Sequence, residues 1–266
     1  ITTHLIDGTD LSQWEKHVTN KTKCIFLESP SNPTMEIIDI ASVVKIAHHH
    51  NALVIVDNIL ASPVLQKPME FGADIVVYSG TKHIDGQGRS LGGAILSSKK
   101  HYEEYIKPFI RHTGPSISPF NAWVLLKGLE TLKHRMDQHC HNALKVANYL
   151  SQHPKVEKTI YPSLTDHPQH ALASKQMSQG GSIVTFVIKE NNAFKFMNEL
   201  NIFDISNNLG DTKSLVTHPA TTTHRVIGEE GRKKLNIPDA MIRLSIGLED
   251  VDDLIEDIDA SFKQIL

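Results

Sequence analysis

The chain has 266 residues, of which 40% are hydrophobic and 21% charged, and its formal net charge at pH 7 is −3. This length is enough for two lobes, because single domains usually run to about 100–200 residues. The charge gives no electrostatic basis for a nucleic-acid partner, and the longest apolar runs, Ala52–Val56 and Ala122–Leu126, are far shorter than the roughly 18 residues of a membrane span.

The first half of the chain alternates strand and helix signals. Four short apolar runs predict strands, at Cys24–Leu27, Leu53–Val56, Ile75–Tyr78 and Gly93–Leu96. Between the first two runs, Asp39 is a typical helix cap, and the apolar residues after it recur at the i, i+3, i+4, i+7 spacing of an amphipathic helix. This β-α-β alternation indicates a parallel sheet covered by helices.

The second half begins with a long helical stretch, from about Pro119 to about Leu150. Strand signals follow at Ser182–Ile188 and Met241–Ile246, with a helix after Asn192 between them. A last helix has an apolar face and runs from about Val251 to the end of the chain. We predict an α/β protein of two domains, a parallel-sheet domain at 1–132 and an α+β domain at 133–266.

The two cysteines, Cys24 and Cys140, are too few for a disulfide framework and predict buried free thiols in a reducing compartment. The first residues lack both the basic and the apolar part of a signal peptide. We therefore expect a cytoplasmic protein. The histidines show no metal-ligand spacing, so we predict no metal site.

Two charged residues follow predicted strands. Asp57 comes directly after one strand, and Lys82 follows the next through Ser79-Gly80-Thr81. Ligands of open parallel sheets bind at the carboxyl ends of the strands, where both side chains would meet. A pyridoxal phosphate (PLP) site needs a lysine for the Schiff base and a carboxylate for the pyridine nitrogen, and the two hydroxyls suit a phosphate. The spacing leaves another interpretation open, with the aspartate as a helix cap and the lysine in solvent.

Five sequence blocks, in a fixed order, resemble the Cys/Met-metabolism family of PLP-dependent enzymes. The resemblance covers essentially the whole chain, and several ordered blocks are far more specific than any one of them. The blocks are Glu28-Ser29-Pro30-Ser31-Asn32-Pro33-Thr34, Val56-Asp57-Asn58, Tyr78-Ser79-Gly80-Thr81-Lys82, Leu209-Gly210 with His218-Pro219-Ala220 and Thr223-His224, and Arg243-Leu244-Ser245-Ile246-Gly247-Leu248-Glu249.

The resemblance implies a PLP-dependent transferase fold of type I, like that of aspartate aminotransferase, in which 1–132 is part of the large PLP-binding domain. It implies that Lys82 is the catalytic Schiff-base lysine and that Asp57 pairs with the pyridinium. It further implies phosphate contacts from Ser79 and Thr81, and a contact between Asn32 and the phenolic side of the cofactor.

Two residues are implied for the substrate. Arg243 would bind the α-carboxylate, a task that suits its planar fork. Asn208 would assist there, although many relatives have serine at its position.

Within the family, the stretch from Lys82 to Arg89 resembles the sulfhydrylases that act on O-succinylhomoserine. The resemblance therefore implies a γ-replacement in methionine biosynthesis, in which sulfide displaces the succinyl or acetyl group of an O-acylhomoserine to give homocysteine. It also implies a homotetramer built from dimers. Alternatives are a cystathionine γ-synthase, a cystathionine or methionine lyase on the same scaffold, and a catalytically inactive remnant.

Family members are longer than this chain, which starts with Ile1 inside what resembles the middle of the large domain. We expect the N-terminal part of the family fold to lie outside the sequence. That part would carry a glycine-containing phosphate loop, an aromatic side chain that stacks on the cofactor, and residues given to a neighbouring subunit. We accordingly expect the 266 residues alone to bind PLP weakly and to turn over little.

Overall fold

A computed structural model describes residues 1–190 and 192–265. The first half contains a four-stranded sheet of order β1-β2-β3-β4. Its strands are β1 (Cys24–Glu28), β2 (Leu53–Asp57), β3 (Ile75–Ser79) and β4 (Gly93–Ser97). The predicted strands are confirmed, but the parallel arrangement holds only for β1, β2 and β3, because β4 runs antiparallel to β3. The sheet is mixed.

Helices cover one face of this sheet. Alternate residues of β1 and β2, such as Leu27 and Val56, pack in a core with the first two helices. As predicted, Asp39 caps the second of these, accepting a hydrogen bond from the main-chain N–H of Ser42 at 2.9 Å. The helices of the first half are α1 (Leu11–His17), α2 (Ile40–His49), α3 (Ser62–Leu65), α4 (Lys99–His101) and α5 (Lys107–Thr113).

The other face of the sheet is exposed to solvent at the edge strand β1. The side chain of Phe26 in β1 is 62% exposed, and Cys24 beside it is exposed as well. The prediction of two buried thiols was therefore wrong for Cys24, which lies on the exposed face of the edge strand β1, whereas Cys140 is buried. Side chains alternate along a strand, so this open face also carries Glu28 and, by register, Asp57.

The second half contains a five-stranded sheet of order β5-β6-β9-β8-β7. It is antiparallel except for the short β7–β8 pair. The strands are β5 (Val156–Ile160), β6 (Ile183–Ile188), β7 (Asp204–Ile205), β8 (Leu215–Thr217) and β9 (Met241–Ser245). The helices are α6 (Pro119–Gln152), α7 (His170–Gln176), α8 (Ala193–Glu199), α9 (Gly228–Lys234) and α10 (Val251–Gln264).

Helix α6 joins the two halves. Its middle residues, Leu132, Met136 and Cys140, belong to the core of the first sheet, and the next apolar residues, from Ala143 to Leu150, belong to the core of the second. The predicted boundary between 132 and 133 falls inside this helix and stays a prediction; positions 191 and 266 of the second range lie outside the described residues. None of the described helices is long and apolar enough to cross a membrane.

Candidate active site

The carboxyl ends of β1 and β2 bring two acidic side chains together. Glu28 and Asp57 are register partners at the ends of these parallel strands. The Asp57 carboxylate accepts one hydrogen bond, from the main-chain N–H of Ile59 at 3.1 Å, and burial raises its pKa. Burial, with Asp57 as an additional cause, raises the pKa of Glu28 to about 7, although Glu28 accepts from the N–H of Asn32 at 3.1 Å.

Lys82 lies in a π-helical turn, Gly80–Ile84, that follows β3 directly. Its ammonium group donates to the side-chain oxygen of Asn208, which approaches from the second half of the chain. The lysine is half-buried, and burial together with the positive charge of Arg243 lowers its pKa. A lysine whose pKa is lowered in this way is a better nucleophile near neutral pH.

The hydroxyls of Ser79 and Thr81 flank Gly80 at the end of β3. Gly80 approaches the facing strand so closely that an added Cβ would lie 3.2 Å from the main-chain carbon of Gly92 and 3.1 Å from the side chain of Leu125. The Thr81 hydroxyl accepts from the N–H of Gly92 at 3.3 Å. The proton of this hydroxyl thus remains available to an anionic ligand such as a phosphate.

Arg243 comes from β9 and is almost completely buried. Its two terminal nitrogens donate to the side-chain oxygen of Asn32 at 2.9 Å and to the main-chain oxygens of Asn207 and Asn208 at 3.0 and 2.9 Å. Its Nε is buried without a hydrogen-bond partner among the described residues. Burial lowers the pKa of Arg243 to about 10, and the negative charge of Glu28 opposes that shift.

These contacts connect most of the predicted site residues. Lys82 contacts Asn208, whose main chain contacts Arg243, which in turn contacts Asn32 and lies within electrostatic reach of Glu28. The other predicted residues, Asp57, Ser79 and Thr81, lie at the ends of β2 and β3 and form no hydrogen bond with this chain of contacts among the described residues. The arrangement therefore has one group of side chains at the ends of β2 and β3 and a second group, joined by hydrogen bonds, that runs from Lys82 through Asn208 and Arg243 to Asn32.

A family model described as "Cys/Met metabolism PLP-dependent enzyme" matches residues 1–263. The chain belongs to this family. Its members depend on PLP, so the predicted family and cofactor are confirmed.

Two curated relatives are O-succinylhomoserine sulfhydrylases. The protein of Mycobacterium tuberculosis is 51% identical over 97% of this chain and 65% of its own length. The protein of Pseudomonas aeruginosa is 45% identical over 94% of this chain and 62% of its own length. The chain thus spans less than two thirds of the length of these relatives.

A solved structure has the same fold. Cystathionine gamma-lyase from Lactobacillus plantarum, complexed with L-serine, superposes with a TM-score of 0.96 at 36% identity, covering 98% of this chain and 69% of that one. The predicted type I fold of PLP-dependent enzymes is confirmed.

The side chains at the strand ends fit PLP by their chemistry. The cofactor needs an amine for covalent attachment, a carboxylate for its pyridine nitrogen and donors for its phosphate. Lys82 is an amine with a lowered pKa, Asp57 is a half-buried carboxylate with a single hydrogen bond among the described residues, and Thr81 keeps a hydroxyl proton. Among the described residues, no group of three or more His, Cys, Asp or Glu side chains is placed to hold a metal ion.

Reasoning from the sequence did not single out three residues that adjoin the site. Glu28 lies beside Asp57, His83 follows Lys82 directly, and the His224 ring lies near Asn32 and Arg243, with burial as the main cause of its lowered pKa. The position of Glu28 at the end of a predicted parallel strand was a usable signal. Both histidines stand in stretches that resemble the family, but their contacts come from parts of the chain distant in sequence, so these local patterns assigned them no role.

Proposed function

We propose that the protein catalyses a PLP-dependent γ-replacement, in which O-succinylhomoserine or O-acetylhomoserine reacts with sulfide to give homocysteine. The observation that carries this proposal is the chain of contacts from Lys82 through Asn208 to Arg243. It places an amine with a lowered pKa beside a buried guanidinium, as an α-amino acid substrate requires. The similarity to two sulfhydrylases supports the choice of reaction within the family.

In the proposed reaction Arg243 orients the substrate. Its guanidinium binds the α-carboxylate, and its unpaired Nε supplies a donor that no described residue uses. Asn208 positions the amine of Lys82 through the hydrogen bond between them. Asn32 holds the guanidinium from the side of β1, since its side chain accepts from Arg243 at 2.9 Å.

Lys82 and Asp57 serve the cofactor. PLP, when bound, would accept electron density from the substrate's α-carbon. Asp57 would keep the pyridine nitrogen protonated, and Ser79 and Thr81 would hold the phosphate. Lys82 would hold the cofactor covalently, and its amine would move protons between Cα and Cβ of the substrate. The carboxylate of the acyl group would leave with the electron pair of the Cγ–O bond, and HS⁻ would supply the sulfur and the proton of the new Cγ–SH group.

Two other functions are distinguishable by their products. A cystathionine γ-synthase would use cysteine as the sulfur donor, and a β- or γ-lyase, as in the neighbouring solved structure, would release a keto acid without a second substrate. A catalytically inactive remnant would act only as a folded or oligomerising unit. The preference for sulfide rests on the similarity to the sulfhydrylases.

The proposal also covers the domain division, the oligomeric state and the cellular location of the protein. We propose a division into domains 1–132 and 133–266, a homotetramer built from dimers, and activity in the cytoplasm. The exposed apolar side chains of β4 and of the first turns of α6, such as Ile95, Phe120 and Trp123, support association of the chain with other protein.

The test is an assay of homocysteine formation from O-succinylhomoserine and sulfide by purified protein with added PLP. Residues 1–266 alone, for which we expect little turnover, are compared with a chain extended at its N-terminus to the length of the sulfhydrylase relatives, for which the products below are expected. O-acetylhomoserine, cysteine in place of sulfide, and omission of the sulfur donor are run in parallel, with Lys82→Ala as the inactive control. We expect homocysteine with sulfide and little cystathionine with cysteine. Cystathionine as the main product, or keto acid at an equal rate without sulfide, would replace the proposed reaction with one of the alternatives.

A further inference from the structure

His83, the residue after Lys82, connects the two halves of the molecule. Its side chain is buried, with 1% exposed. Its Nδ1 lies 3.2 Å from the main-chain oxygen of Ile59, two residues beyond Asp57, and its Nε2 lies 2.7 Å from the hydroxyl of Ser182, directly before β6. The ring therefore bridges the loop after β2 and the residue that leads into β6 of the second sheet.

These partners determine the tautomer of the ring. The main-chain oxygen of Ile59 can only accept, so Nδ1 carries the proton and donates it, and Nε2 accepts from the Ser182 hydroxyl. Burial, with the neighbouring His139 as the second cause, lowers the pKa of His83 to about 3. The neutral tautomer is therefore retained across the neutral pH range.

Lys82 has an uncommon backbone conformation, with φ −93° and ψ −127°. Residues in such sparsely populated regions persist only where the surrounding structure holds them. His83 is held from several sides, since Nη1 of Arg135 also donates to its main-chain oxygen at 2.7 Å. Gly210 also packs closely against His83, because a Cβ at position 210 would lie 2.7 Å from the main-chain nitrogen of His83.

We propose that His83 is a positioning residue for Lys82, which fixes the uncommon backbone conformation of the lysine by tying the next residue to Ile59 and Ser182. Lys82 is thereby held at both ends, since Asn208, two residues before Gly210, binds its amine. This inference rests on the proposed function in one respect, the attachment of PLP to Lys82. Without the two ring hydrogen bonds, the turn relaxes and the amine becomes more hydrated.

The experiment measures covalent capture of added PLP by the unloaded protein over a series of pH values. Capture is followed by absorbance and, after borohydride reduction, by peptide mass at Lys82. It requires the unprotonated amine, so its pH midpoint reports the pKa of Lys82 without any turnover. In His83→Phe we expect capture at neutral pH to fall about tenfold, on the order of the strain released, and the midpoint to move to higher pH. Ser182→Ala keeps the Ile59 bond and should shift the midpoint less, in the same direction.

The matched control is His218→Phe. His218 is also buried, and its two ring nitrogens bond to the hydroxyl of Thr221 at 2.9 Å and to the main-chain oxygen of Asp239 at 2.6 Å. The substitution therefore removes an equally satisfied histidine whose two ring hydrogen bonds involve neither Lys82 nor the partners of His83, and we expect it to leave the capture profile unchanged.

The outcomes separate the two proposals. Equal profiles for wild type and His83→Phe, or equal shifts for both phenylalanine variants, would refute the role of His83. If His83→Phe does not fold, an unchanged profile in Ser182→Ala refutes it instead. If wild-type protein captures no more PLP than Lys82→Ala, the assignment of Lys82 fails, and with it the proposed function.

Discussion

His139 provides a pH-dependent contribution to stability that a single substitution can isolate. The residue lies in α6, and its Nδ1 donates to the main-chain oxygen of Ile246 at 2.7 Å, while its Nε2 is buried without a partner among the described residues. Burial lowers the pKa of His139 from 6.5 to about 4. The folded protein consequently keeps this ring neutral under mildly acidic conditions in which the unfolded chain protonates it.

The sign and size of the effect are set by this difference in pKa. The stabilisation is complete above the unfolded pKa of 6.5 and is lost as the pH falls toward the folded value of about 4. Between about pH 8 and about pH 5 the loss is about 2 kcal/mol, at about 1.4 kcal/mol per pKa unit. An asparagine does not titrate, and its side-chain N–H can replace the Nδ1 donor. His139→Asn should therefore lose about 2 kcal/mol less than wild type over this interval.

The measurement is urea-induced unfolding of wild type and variant at the two pH values. The loss of packing lowers the stability of the variant at both, so only the difference between the pH values is interpreted. His134→Asn, an exposed position on the same helix, is the control and should behave like wild type. If His139→Asn loses as much stability on acidification as wild type, the buried neutral ring is not the cause of the pH dependence.

Three further predictions concern the proposed site. Lys82→Ala should abolish covalent attachment of PLP, measured by absorbance and by mass after reduction; attachment at an undiminished level would move the site to another lysine. Asp57→Asn keeps the shape of the side chain but removes its charge, so we expect a large loss of turnover and weaker PLP retention, which near-normal kcat would contradict. Arg243→Ala should weaken apparent binding of O-acylhomoserine by about 2–5 kcal/mol while PLP stays bound, and an unchanged KM would place the carboxylate site elsewhere.

The strand ends that carry Asp57 and Ser79 could be predicted because each strand is marked by a continuous apolar run in the sequence. The runs Leu53–Val56 and Ile75–Tyr78 are apolar throughout, and the structure extends each by a single residue, to Asp57 and Ser79. Because β2 and β3 are parallel neighbours, the residues after each strand lie at one edge of the sheet. The direction of β4 could not be predicted in this way, because an apolar run is compatible with either orientation.

Other features depend on contacts that the sequence does not encode locally. β5 was not predicted because Glu157 and Lys158 interrupt its apolar residues at an irregularity in the pairing with β6. β8 has only three residues. The hydrogen bond from Lys82 to Asn208 joins residues 126 positions apart, so the resemblance to a family could suggest Asn208, but only the folded chain places it against the lysine.

Burial disfavours the charged form of each of four ionisable side chains in the site. It raises the pKa of Glu28 and Asp57 and lowers the pKa of Lys82 and Arg243, so that in each case the charged form is disfavoured by loss of water. In the proposed function, ligands of opposite charge would offset this cost, with a pyridinium as the partner of Asp57 and a substrate carboxylate as the partner of Arg243. Such clustering of shifted groups is typical of sites that act on ligands rather than of ion pairs that only stabilise a fold. If the proposed roles hold, binding of cofactor and substrate would offset the free-energy cost of burying the charges of Asp57 and Arg243, and ligands that carry both complementary charges would be favoured.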